Sequence, residues 1–235
     1  MSLFFRRLRF LLALILVCLV TAYGLSRLGY FEWPRAYDPL VLPDLDATPN
    51  LLTPFKLKFI DSSAENCRAA FARAGKAVAI EPARTDTAQC AKQDTIMLAS
   101  LSTAKLRAEE TRCAIAARLF MWEYNVVQPT ARKYFNDPVT EIIHFGSYAC
   151  RSIRGSSATS EHATANAFDI AGFRFRSGRL ITIRQQWQGG QPSAEFLRNV
   201  RDGACDYFNL VLSPDYNADH HDHLHVDMGW FRGCR

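Results

Sequence analysis

"AFDIAGFRFRSGRLITI", Ala167 to Ile183, consists of two apolar runs separated at Ser177-Gly178, the two-residue break of a tight β-hairpin. Immediately upstream, Thr140 to Arg151 (TEIIHFGSYACR) is a β-rich run that leads into a serine-rich loop, 152–160. Downstream, Ser193 to Phe208 places Phe196, Leu197, Val200, Ala204 and Tyr207 on one helical face. His223 to Asp227 reads as a last strand. Strands and helices in mixed order around a hairpin predict an α+β fold, a small antiparallel sheet with flanking helices.

Further towards the N-terminus, Thr103 to Asn125 reads as a long helix, with Cys113, Ala116, Leu119, Phe120 and Tyr124 at three- and four-residue intervals. Pro129 ends or bends it. Phe120, Trp122 and Tyr124 are core-packing residues in that reading. Ser62-x-x-Glu65 is a capping-box pattern that opens a short helix stopping near Gly75. The folded domain is expected from about Leu57 to the C-terminus, 57–235. Residues 29–56, with Pro34, Pro39, Pro43 and Pro49, read as an extended linker.

The chain begins with a basic stub, 1–9, carrying Arg6, Arg7 and Arg9. An uninterrupted apolar run from Phe10 to Leu25 follows. Together they form an export signal or, extended through Leu28 (10–28), a membrane anchor with the arginines on the cytoplasmic side. A retained anchor is preferred, although Val20-Thr21-Ala22 resembles a cleavage site. Apart from Cys18 in this run, six cysteines remain, an even number that suits three disulfides in an exported domain, with fifteen possible connectivities. Cys67 with the nearby Cys90 is the economical pair. The net charge of +5 is spread along 235 residues with no basic cluster beyond the N-terminus, which argues against nucleic acid as a partner.

Five of the six histidines fall in two short stretches, SEHATANAFDI (Ser160–Ile170) and HHDHLHVDMG (His220–Gly229). In a strand, His221, His223, His225 and Asp227 would share one face while Leu224 and Val226 enter the core. His162 and Asp169 are seven residues apart. On a helix that is ~10.5 Å, too far for two ~2 Å bonds to one ion. A chain that turns around Thr164 to Asn166 and continues as a strand would bring them together. Two imidazoles and a carboxylate with one position open form a catalytic zinc-type site, suited to hydrolysis of an amide. His144, inside an apolar strand, reads as a hydrogen-bonded core histidine outside the site.

Ser-x-His-x6-Asp followed by His-x-His resembles the zinc peptidases that group lysostaphin, D-alanyl-D-alanine carboxypeptidases and the hedgehog signalling domain, and especially the penicillin-insensitive murein endopeptidases. GSYACR, SEHATANAFDIAGF, SPDYNADHHDHLHVD and the N-terminal PLVLPD and NLLTPFKLKF are similar to bacterial proteins with an extensin-like C-terminal domain, from about Pro39 to Cys234. The resemblance implies a hedgehog/DD-peptidase-like fold with one zinc ion held by His162, Asp169 and His225. It makes His223 the histidine that takes a proton from the attacking water. His220 would hydrogen-bond substrate, and Glu161 is the only nearby glutamate that could replace His223 as base. Arg151 and Tyr148 would bind substrate, and Cys150 reads as half of a disulfide. Asp219, Asp222 and Asp227 are candidates to orient the imidazoles, although a solvated surface role is preferred for each taken singly.

The expectation is therefore a zinc metallopeptidase that cuts an amide in peptidoglycan peptides, anchored in a bacterial inner membrane with its domain in the periplasm. The alternative is a peptidoglycan-binding or scaffold module that keeps the metal site without turnover.

Overall fold

A computed structural model describes residues 3–87 and 89–235. The chain divides between Val41 and Leu42 into two compact units.

In the first unit, helix α1 (Leu3–Arg27) has 24 residues, Phe4–Arg27, that are long and apolar enough to cross a membrane. At 1.5 Å per residue it covers about 36 Å, against about 30 Å of bilayer hydrocarbon. The apolar helix is thus longer than the run from Phe10, because the residues around the three arginines are helical too. It suits either a membrane anchor or a signal segment. The chain after α1 does not stay extended as the proline content suggested. Trp33 packs edge-on against Tyr23 with ring centroids 5.4 Å apart, and the Tyr23 hydroxyl donates to Asp38 at 3.0 Å.

The second unit starts before Leu57. Leu45 is fully buried in its core, and α2 spans Thr53–Asp61. Next come α3 (Ala64–Arg73), β1 (Ala79–Ile80), β2 (Arg84–Thr87), β3 (Cys90–Lys92), β4 (Thr95–Ser100) and β5 (Lys105–Arg112). They are followed by α4 (Cys113–Trp122), α5 (Gln128–Phe135), β6 (Val139–Gly146), β7 (Ala167–Phe175), β8 (Leu180–Thr182) and α6 (Ile183–Gln186). Last are α7 (Ser193–Ala204), β9 (Leu210–Leu212), β10 (Leu224–Asp227) and β11 (Gly233–Cys234). The N-cap of α3 is Ser63, one residue later than the capping-box pattern placed it, and its hydroxyl accepts from Asn66 N at 3.2 Å. Gly75 ends that turn with φ +71°.

The expected helix over 103–125 is two different elements. Residues 105–112 are strand β5, paired antiparallel with β4, and only 113–122 are helical. A π-helical turn, Glu123–Val127, then joins α4 to α5, and Pro129 sits directly after it in the first turn of α5, so the proline neither ends the helical path nor falls within the regular α4 ladder. The carboxylate of Glu123, fully buried, accepts from Ser102 N (3.0 Å), Ala104 N (3.2 Å) and Gln128 Nε2 (2.5 Å).

Nine strands form one sheet in the order β1-β4-β5-β6-β7-β10-β9-β11, with β8 also on β7. The sheet is mixed. β5–β6 and β9–β11 are parallel and the other pairs antiparallel, which corrects the all-antiparallel expectation. The parallel β5–β6 pair needs a crossover, which α4 and α5 supply. Helices α4, α5 and α7 cover one face. There Phe173 lies 6.2 Å from Trp122 and 5.3 Å from Phe196, Phe135 and Phe175 pack at 5.0 Å, and Trp122 Nε1 donates to Val200 O at 3.0 Å.

One edge of β7 is shared by two partners, β10 along Ala167–Ile170 and β8 along Gly172–Arg174. Between them the pairing with β6 jumps, from Ile170 opposite His144 to Gly172 opposite Ile143, leaving Ala171 as a bulge. The bulge changes the phase of the strand, so that Phe168, Ile170, Phe173 and Phe175 all reach the core. Gly172 is required here, since a Cβ would lie 2.7 Å from Ile181 O.

Three disulfides staple this unit: Cys67–Cys113, Cys90–Cys150 and Cys205–Cys234. Cys67 does not pair with Cys90, because α3 packs on α4 and brings Cys67 to the start of that helix. Cys90 instead fastens the β2–β3 hairpin to the segment after β6.

Candidate metal centre

Asp169 on β7 and His225 on β10 are direct cross-strand partners. Their neighbours Phe168, Ile170, Leu224 and Val226 fill the core, so pleat alternation turns Asp169, His225 and Asp227 to the face away from the helices. His162 arrives on a single 3-10 turn, Glu161–Thr164. Ser160 caps this turn, and it ends at Ala165 in the left-handed conformation, φ +53°. That reversal sends Ala167 into β7 and folds seven residues of sequence into one contact, the loop-turn-strand path expected for His162 and Asp169.

The three inward atoms form a nearly equilateral triangle. His162 Nε2 lies 3.1 Å from His225 Nδ1, His225 Nδ1 lies 3.0 Å from Asp169 Oδ1, and His162 Nε2 lies 3.2 Å from that same oxygen. A tetrahedral ion with bonds of ~2.0–2.1 Å needs donor atoms about 3.3 Å apart, so the set fits a zinc-sized ion with almost no movement. The outer ring nitrogens fit as well. His162 Nδ1 donates to Ser147 O at 2.8 Å, and His225 Nε2 donates to Asp227 Oδ2 at 3.0 Å. With the protons held outside, both remaining lone pairs point into the triangle. Among the described residues, His162, Asp169 and His225 are the group able to share one ion.

Charge is strongly coupled here. Burial would raise Asp169, but hydrogen bonds to His162 and His225 outweigh it and hold the carboxyl well below its ordinary range. Burial would lower His225, yet Asp169 and Asp227 take it up to about 9. The two carboxylates therefore favour a cation between them.

His223 stands at the rim, just before β10. Its Nδ1 hydrogen-bonds Asp222 at 2.9 Å, and its Nε2 is 3.6 Å from Asp169 Oδ1. His220 packs against His223 and His225, with ring centroids 5.2 and 5.9 Å away, and Asn217 holds its Nδ1 at 2.6 Å. Burial, then the neighbouring imidazoles, push His220 down to about 4. Two exposed aromatic rings flank this edge, Phe145 against His223 and Tyr216 against His220, each with centroids 5.7 Å apart.

Other expected members are placed elsewhere. The Glu161 carboxylate is taken by Asn166 Nδ2 at 2.6 Å and packs against Gly229, outside the triangle, so it does not stand ready as a base. The Tyr148 hydroxyl donates to Asp86, and Lys92 lies 4.1 Å over its ring, so it belongs to the β2–β3 hairpin contact. Arg151 is exposed, and its guanidinium has no partner among the described residues. His221 faces solvent with Nδ1 on Ala218 O and does not share the face of His225, because the chain turns before β10 begins. Asp222 and Asp227 orient imidazoles rather than lying solvated at the surface, whereas Asp219 pairs with Arg154 at 2.7 Å. His144 is buried on Phe168 with Nε2 bonded to Arg107 O at 2.9 Å, outside the site.

Sequence reasoning missed Ser147 and Glu109. Ser147 offers its carbonyl to His162, its hydroxyl donates to Ala167 O at 2.7 Å, and its N–H donates to Glu109 Oε1 at 2.9 Å. No local pattern signals this role, which depends on β5, β6 and the His162 turn meeting.

Fold and site together define a disulfide-bonded α+β domain with a His/His/Asp cluster of metal-binding type. The model of the extensin-like protein C-terminus family matches residues 65–235, most of the chain, and the chain belongs to that family. No curated protein and no solved structure matches the chain significantly. Likeness to murein endopeptidases and carboxypeptidases thus rests on the motif alone.

Proposed function

We propose that the protein is a zinc-dependent peptidase acting on amide bonds of peptidoglycan peptides outside the cytoplasm, held to the inner membrane by α1. The observation that carries this reading is the triangle of His162, Asp169 and His225 with both outer imidazole nitrogens already bonded. A divalent ion in that position supplies Lewis acidity, polarising an amide carbonyl and acidifying a water. Ligand type suits zinc and other first-row ions alike.

The chain's own residues supply the rest. Asp222 keeps the Nδ1 proton of His223, which leaves Nε2 free at the cluster to accept a proton from the attacking water and return it to the leaving amine. His220, kept neutral by its low pKa, donates or accepts a hydrogen bond beside it. Phe145 and Tyr216 offer apolar walls, and Arg151 a free cation for a substrate carboxylate. Exported location suits the three disulfides and the apolar N-terminal helix.

The test is digestion of purified cross-linked sacculi, with fragments identified by mass spectrometry. We expect cleavage that chelator abolishes, zinc restores and His223→Ala removes. Stoichiometric zinc binding with intact sacculi would favour the non-catalytic binding module.

A further inference from the structure

The face of the second unit that carries α2 combines exposed apolar side chains with cationic ones. Residues 50, 54, 58 and 61 line a cavity of about 1400 Å³ that also draws on α5 and on the segments around 206–209 and 228–232. One residue on from each of the first three stand Leu51, Phe55 and Phe59. Phe55 and Phe59, four apart, share one side of α2, and Leu51 stands in the turn just before the helix. Leu51 is 99% exposed, and Phe55 and Phe59, packed edge-to-face 5.3 Å apart, remain 47% and 37% exposed. At the far rim, Trp230 and Phe231 are 92% and 70% exposed, beside the cavity residue Arg232.

The charges between these apolar rims are of one prevailing sign. Lys58, Arg132 and Arg232 line the cavity, are exposed, and have no side-chain partner among the described residues. Arg118 is neutralised by Asp61 at 2.6 Å, and among the described residues Asp206 is the one lining carboxylate without a hydrogen-bond or ion-pair partner. Exposed Leu, Phe and Trp around unpaired Lys and Arg is the composition of a surface that seats in a bilayer interface and meets anionic headgroups.

The same chain supplies a reason to name lipid as the partner. The candidate membrane helix ends at Arg27 and the second unit begins at Leu42, so 14 residues, 28–41, join them. Even fully extended they reach only ~50 Å, which fixes the unit at high effective concentration beside the bilayer. We infer that the α2 face docks on the membrane, with Leu51, Phe55 and Phe59 in the interfacial layer and Lys58, Arg132 and Arg232 on phospholipid phosphates. The inference rests on α1 being retained as an anchor. It does not depend on the metal or on peptidase activity.

The test uses the full chain reconstituted in vesicles of phosphatidylcholine with or without phosphatidylglycerol. In a Cys18→Ala background, Phe55→Cys or Ser156→Cys is labelled with an environment-sensitive fluorophore, and quenching by spin-labelled lipid is read. We expect blue-shifted, quenched emission at position 55, deeper with phosphatidylglycerol, and no quenching at 156 in the serine-rich loop. Changing one of Lys58, Arg132 or Arg232 to Gln should lower the docked-to-undocked ratio about fivefold. Chelator should change neither signal, which separates this result from the fate of the peptidase proposal. Equal quenching at both positions, none at 55, or insensitivity to both phosphatidylglycerol and the charge changes would overturn the inference. So would a protein recovered from the producing cell without residues 1–27.

Discussion

Asp227→Asn isolates the link between imidazole orientation and metal affinity. Asp227 is buried and uses both oxygens as acceptors, Oδ2 from His225 Nε2 at 3.0 Å and Oδ1 from Gly229 N at 2.8 Å. Asparagine has one acceptor oxygen, so its NH2 group must face one of these two N–H donors. If it faces His225, the imidazole proton moves to Nδ1 and the lone pair leaves the triangle. If it faces Gly229, the turn after β10 loses a hydrogen bond. Loss of such an orienting carboxylate typically costs 10–100-fold in metal affinity, about 1.4–2.7 kcal/mol. Competition against a chromogenic chelator reads this directly, with far-UV circular dichroism as the folding control. Asp222→Asn, which touches His223 and His221 but no member of the triangle, should leave affinity unchanged while lowering turnover. A folded Asp227→Asn protein whose zinc affinity stays within about twofold of the parent would refute the reasoning.

Without metal, stability should be greatest near pH 6.5. His225, raised to about 9, contributes fully below its unfolded value of ~6.5 and loses that contribution as pH rises through 9. His220, lowered to about 4, acts oppositely and costs stability as pH falls from ~6.5 towards 4. Asp169 adds to the acid-side loss only below the ordinary carboxylate range. Thermal melts of chelated protein across pH 4–9 check this, and a flat profile would contradict it. Removing the Cys90–Cys150 bridge, which closes a separation of 60 residues, should cost about 4 kcal/mol in guanidinium unfolding and loosen the Ser147 segment that holds His162. Gly172→Ala drives a methyl into Ile181 O and should destabilise by about 1–3 kcal/mol through separation of β7 from β8.

Much of the site could be read from sequence because its chemistry is local. The His-x-His pair lies on and beside one strand, and the alternation of Leu224 and Val226 with His225 and Asp227 fixes which side faces the core. Only His162 and Asp169 needed a guess at backbone path, and the strand character of 167–175 decided it. Residues 105–112 misled because Lys, Leu, Arg, Ala and Glu are strong helix formers. What overrides that propensity is non-local. β4 pairs along the segment, and the Glu110 carboxylate is fixed by buried Lys92 at 2.7 Å and by Thr95 at 2.8 Å. Misplacing that strand hid the β5–α4–α5–β6 crossover and so the parallel part of the sheet. Disulfide partners followed helix packing rather than distance along the chain. The change of phase from Phe168 and Ile170 to Phe173 and Phe175 comes from the bulge at Ala171, which the reading of 167–183 as a plain hairpin did not include.

Zinc-edge X-ray absorption on the protein loaded with one equivalent of zinc tests the central claim most directly. Two imidazole nitrogens and a carboxylate oxygen at ~2.0–2.1 Å are predicted, with stoichiometric binding lost in His162→Ala and kept in His221→Ala. A fully hydrated ion, sulfur ligands, or binding that survives His162→Ala but not His221→Ala would contradict it.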